Sequence, residues 1–177
     1  MEDPMGNLAA YHEASLVVRL AGHHEGVVHI AGDAVQVLIP GAAITVADKN
    51  STIVLYKAWI EARLIARKLL TSHEGARSYR TPKPEILATV NYGGERVPAP
   101  HVMGKAPAHS PSGCGQIAVQ IGRFTIVCDD RAAWLSQDRI WTDMYECATQ
   151  IWPLWPLDSA YYMYQSRIAE RLFEQGR

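Results

Sequence analysis

At 177 residues, 48% of them hydrophobic and 20% charged, the chain is long enough to bury a real core and too apolar to be disordered. A formal net charge of −1 excludes a uniformly basic binder of nucleic acid or of acidic membranes. Three widely spaced cysteines (Cys114, Cys128, Cys147) with no Cys-x-x-Cys pair fit a reducing compartment better than a disulfide scaffold.

In chain order, residues 1–14 carry little pattern. Strand signals begin with the β-branched run Leu16-Val17-Val18-Arg19-Leu20 and resume at Val27-Val28-His29-Ile30 after a glycine- and histidine-rich turn. Residues 35–39 and 44–46 alternate about Pro40-Gly41 and predict a hairpin. Asp48 to Ser51 then offers helix N-cap residues, and the period lengthens. Leu55, Trp59, Ala62, Ala66 and Leu69 make one apolar face of that helix, and Tyr56, Ile60 and Leu64 a second. A helix apolar on two sides is expected to be buried on two sides.

Residues 71–85 read as a polar connection with Gly75, Pro82 and Pro84. The pattern then restarts: a strand over 86–90, a turn at Asn91-Tyr92-Gly93-Gly94, an insertion over 98–115 rich in proline and glycine, and a hairpin over 117–127. Asp129 is the expected cap of a second helix, with Trp134, Trp141, Met144, Ala148 and Ile151 inward. Pro153 and Pro156 break it, and Asp158 starts a third helix.

The expected fold class is therefore α+β: antiparallel sheet from two tandem halves, each ending in a helix, related by pseudo-twofold symmetry. The helices pack on one face, with an extra helix at the C-terminus. The expected organisation is a single domain, 1–177, comprising a first half (15–72), a second half (84–153) and the C-terminal helix (154–177). The two hairpins and helices recur after 80 to 82 residues, with Asp48 opposite Asp129 and Trp59 opposite Trp141.

No phosphate-binding glycine loop and no His-Glu-x-x-His occurs in the sequence. The weak candidates for chemistry are Cys114, His109 and His101, where a thiol between glycines lies near two imidazoles, as a hydrolase would need. His23, His24, His101 and His109 are the weak metal-ligand candidates, but none forms a closely spaced anchoring pair of the zinc type. No cofactor is implied. A basic segment over 57–83, with Arg63, Arg67, Arg77 and Arg80, carries the alternative of nucleic-acid binding.

The leading expectation is a non-enzymatic interaction, assembly or regulatory protein, of a kind phages and mobile elements encode. Its expected partners are itself, as a homo-oligomer and most simply a dimer, and another protein. Trp59, Trp152, Trp155, Tyr161 and Tyr164 are the expected interface, because Trp and Tyr concentrate in interface cores. The sequence has no basic, apolar N-terminal leader and no apolar run of membrane-spanning length, so a cytoplasmic location with no membrane contact is expected.

Overall fold

In the computed structural model, residues 15–70, 85–94, 97–110 and 113–153 are described. Eight strands and two long helices follow in the order β1 (Leu16–Leu20), β2 (Val27–Ala31), β3 (Ala34–Ile39), β4 (Gly41–Val46), α1 (Lys49–Leu69), β5 (Ile86–Tyr92), β6 (Pro100–Lys105), β7 (Gln116–Ile121), β8 (Phe124–Cys128) and α2 (Arg131–Ile151). A 3-10 turn, Pro107–His109, follows β6.

The chain is α+β, but its sheets are mixed rather than purely antiparallel. One has the order β1-β8-β7-β6 and the other β2-β3-β4-β5. In the first, β1 runs parallel to β8; in the second, β5 runs parallel to β4, and the remaining pairs are antiparallel. Each half thus sends its first strand into the sheet built by the other half. Such pairing needs a long connection between the partners, which the intervening helices and loops provide.

Two further expectations are corrected. The stretch 98–115 is not a structureless insertion, since it contains β6, which closes one edge of the first sheet. Its Pro100 and Gly104 mask the strand pattern, and both are tolerated because β6 is an edge. A side chain at Gly104 would overlap Ile65 and Leu69 of α1, which would have to shift for the helix to keep its place against β6. The helices also divide between the two sheets rather than covering a single one. Helix α1 lies on β6 and β7, whereas α2 lies on β2, β3 and β8.

Alternation explains the strands. β3 and β7 have the same burial sequence, and their inward residues Val35, Val37, Ile39, Ile117, Val119 and Ile121 enter one core with Leu55, Trp59, Trp141 and Met144 of the helices. Burying each of these large side chains stabilises by roughly 1.5–3 kcal/mol before entropy is counted. The two strips of α1 are accounted for within the chain: it contacts both the first sheet and α2.

The second helix is capped by Asp130, not Asp129. The Asp130 Oδ1 accepts the Ala133 N–H at 2.8 Å and Oδ2 accepts the Gly22 N–H at 2.8 Å. Asp48 does the same for α1, taking the Ser51 N–H at 2.7 Å and the Gly94 N–H at 2.8 Å. Asp129 instead faces β1, accepting a forked pair of bonds from Arg19 and one from Gln116. The sequence offered adjacent carboxylates, and backbone direction decides between them. The Asp129 N–H donates to the Leu20 carbonyl at 2.8 Å and so still belongs to the sheet.

Candidate functional site

Helices α1 and α2 cross antiparallel through aromatic contacts. Trp59 stacks on Trp141 with ring centroids 5.3 Å apart and on Trp134 at 5.6 Å. On one side of this centre Tyr56 stacks on Tyr145 at 4.0 Å; on the other Arg63 donates to Asp138 and to the Thr142 hydroxyl. Burial opposes the charge on Arg63, but the Asp138 carboxylate outweighs it and holds the guanidinium even more firmly protonated than usual. Trp59 is wholly buried and is a core residue rather than a surface one. Its indole N–H is a buried donor with no partner among the described residues.

Trp141 is satisfied, and its bond begins a directed chain. An indole N–H can only donate, so the Gln137 atom 2.9 Å from it is the carbonyl Oε1. The Gln137 amide NH₂ therefore points the other way, at the His24 Nε2 at 2.8 Å. That nitrogen must accept, which leaves the ring proton on Nδ1, facing the Gly22 carbonyl at 3.3 Å. The neutral Nδ1–H tautomer of His24 is thus dictated by a tryptophan two residues further along the network. His24 is 4% exposed, and burial holds its imidazole below the ordinary histidine range.

Two more bonds fasten this loop to α2. The Ser136 hydroxyl accepts the His24 N–H at 3.2 Å and meets His23 Nδ1 at 3.0 Å, while Asp130 holds Gly22. The loop spans residues 21–26 and carries the chain from β1 in one sheet to β2 in the other. Gly26 at its end sits where a side chain would overlap Ile140 of α2.

The surface has its own pattern. The large apolar side chains most exposed among the described residues are Val17, Val27, Ile30, Ile86, Leu87, Met103 and Leu135. All but Leu135 lie on β1, β2, β5 or β6, which are the edge strands of the two sheets. Leu87 is the extreme, at 79% exposed. β5 carries no charged residue, whereas β1 has Arg19 and β6 ends in Lys105. A cleft of about 310 Å³ borders β5, lined by Tyr92, Val97, Pro98, Arg123, Phe124 and Leu16 among others. The Tyr92 hydroxyl is already committed to the Ile121 carbonyl at 3.0 Å.

The other sequence candidates separate. His101 is on the exposed edge strand β6, opposite Gln120, and His109 is in the turn after it. Cys114 is half-buried before β7. Among the described residues no three His, Cys, Asp or Glu side chains converge as a metal site would require. Arg63 points inward to Asp138, and Arg67 lies in the last turn of α1, where a cation suits the helix dipole. Arg77, Arg80, Trp155, Tyr161 and Tyr164 lie outside the described residues, and Trp152 is half-buried against the core at the end of α2. No helix among the described residues is long and apolar enough to cross a membrane.

Sequence reasoning missed the His24–Gln137–Trp141 chain. Gln137 and Trp141 stand four apart on a helix, a visible spacing, but nothing local connects them to a turn histidine 113 residues earlier. Comparisons with protein-family models, curated proteins and solved structures return no match to this chain.

Proposed function

We propose that this chain is a non-enzymatic assembly or regulatory protein that acts through protein contacts, and that it associates with a second copy of itself through the edges of its sheets. The observation that carries this reading is the placement of exposed apolar side chains. Among the described residues, six of the seven large ones lie on edge strands, where unpaired backbone N–H and C=O groups also sit. Edge strands ordinarily carry charge, proline or a bulge to prevent pairing. β5 has neither charge nor proline; its register against β4 shifts at Leu87, and Ile86 and Leu87 are open to solvent. An added strand supplies main-chain bonds for affinity and side-chain contacts for specificity.

The same reading includes an internal duplication with pseudo-twofold symmetry. What supports it is register. Adding 82 to both members carries every β3–β4 pair onto a β7–β8 pair, so that Val35↔Val46 becomes Ile117↔Cys128. With 72 added to β1 and 82 taken from β8, Leu16↔Phe124 becomes Ala88↔Ala42, and Leu20↔Cys128 becomes Tyr92↔Val46. The caps follow: Asp48 with Gly94 answers Asp130 with Gly22. In the helix crossing, Tyr56–Tyr145 and Arg63–Asp138 occupy interchanged positions about the Trp59–Trp141 stack. A chain built as two interlocked copies is suited to symmetric contacts.

Leu87→Lys tests the interface. It places a charge on an exposed position of the uncharged edge, and is expected to lower self-association in light scattering while leaving thermal stability within about 0.5 kcal/mol of the parent. Association unchanged by this substitution and by a matching Ile86→Lys would remove β5 from the interface.

A further inference from the structure

We propose that the 21–26 loop is a pH-sensitive latch, closed on α2 while His24 is neutral and released when His24 takes up a proton. The inference stands apart from the interaction reading and rests on the direction of hydrogen bonds around one buried ring.

The Gln137 amide requires the neutral form of the His24 ring, and burial favours it too, outweighing the Gly22 carbonyl at Nδ1, which favours the charged ring. The Trp141 indole fixes Gln137 with its oxygen toward the tryptophan, so the amide NH₂ donates to Nε2. A proton on Nε2 would set N–H against N–H₂ at 2.8 Å. Rotating the Gln137 amide to welcome it would turn NH₂ onto the Trp141 N–H and strand that donor in the core. Neither arrangement satisfies all three groups, and an unsatisfied buried polar group costs as much as the bond it lost.

Among the described residues the charged surroundings supply no counterion at the ring, and Glu25, the next residue of the loop, is exposed to solvent. His23, in the same loop, disfavours a second positive charge, while Asp130 at the head of α2 favours it. Asp130, however, is committed to the Gly22 and Ala133 N–H groups. Asp138, the neighbour of Gln137 on α2, is paired with Arg63 of α1, and Asp129 with Arg19 of β1. β2 and β3, packed on the same helix, contribute only His29 as a titratable group. Burial is the largest influence on His24 and lowers its proton affinity.

The sign follows. A ring whose proton affinity is lower in the closed state than in the open one favours closure fully above the ordinary histidine value of 6.5. That contribution is lost as pH falls below it. The Gly22 and His24 N–H groups, both donated to α2, should lose their protection together.

Two measurements on the full chain test this. Nitrogen-detected NMR of the histidine rings is expected to show His24 neutral with its proton on Nδ1 at about pH 7.5, and still neutral near 6.5. Amide exchange, corrected for intrinsic rate, is expected to show Gly22 and His24 losing protection as pH falls below about 6.5, in step with the charging of the His24 ring. A His24 ring already charged at 6.5, or protonation with both amides still protected, would overturn the proposal. So would a ring that stays neutral throughout in the folded chain. Gln137→Glu is the companion variant. Its two carboxylate oxygens accept from both Trp141 and a protonated His24, so the titration should rise and protection should persist to lower pH; a lowered or unchanged titration counts against the latch. Should that variant not fold, the two wild-type measurements decide.

Discussion

Two tryptophans at matching positions of the two helices behave differently because of what stands four residues before each. Trp141 has Gln137, and its indole N–H is satisfied; Trp59 has Leu55, and its buried N–H has no partner among the described residues. Gln137→Leu preserves volume but strands the Trp141 donor and the His24 acceptor. At about 1–3 kcal/mol for each unsatisfied group, it is expected to destabilise well beyond an isosteric swap. Denaturant melts at about pH 7.5 check this, and a loss under about 1 kcal/mol would show that neither group depends on Gln137. Trp59→Ala removes the centre of the crossing and is expected to cost about 3–5 kcal/mol in the same melts.

At the scale of elements, the strands and helices were largely legible, because two-residue alternation and a helical period leave clear marks. The turn at Gly41 and the change of period at Asp48 both fall where the residues indicate. What was not legible is what depends on distant partners. β6 hides behind Pro100 and Gly104, whose tolerance rests on its being an edge beneath α1. Parallel pairing of β1 with β8 leaves no local trace, since its alternation matches that of an antiparallel edge. The choice of Asp130 over Asp129 as cap depends on which carboxylate meets the first turn. Asp130→Ala is expected to cost more than the ~1 kcal/mol of an ordinary cap, because the Gly22 N–H of the loop loses its acceptor as well. Equal losses for Asp130→Ala and Asp48→Ala would be consistent with the second bonds at Gly22 and Gly94 acting alike. A loss at Asp130 no larger than a simple cap would argue that Gly22 contributes nothing.

At the scale of the whole molecule, the halves are interlocked rather than side by side, each lending its first strand to the other's sheet. The core is continuous through both sheets and both helices, so a cooperative single unfolding transition is expected. The candidate site was less legible than the fold. Of the residues singled out for interaction, Trp59 serves the core, because an apolar helix stripe looks the same whether it meets another helix or another chain. The exposed edges were invisible because exposure of Leu87 depends on where β5 sits in its sheet, not on its own sequence. Chain length and mass permit a direct test of whether those edges meet. Light scattering of the purified chain at tens of micromolar is expected to give a mass well above the 19.6 kDa monomer, close to twice that value for a dimer, and to fall toward the monomer with Leu87→Lys. A strict 19.6 kDa species at every concentration would contradict self-association through the sheet edges.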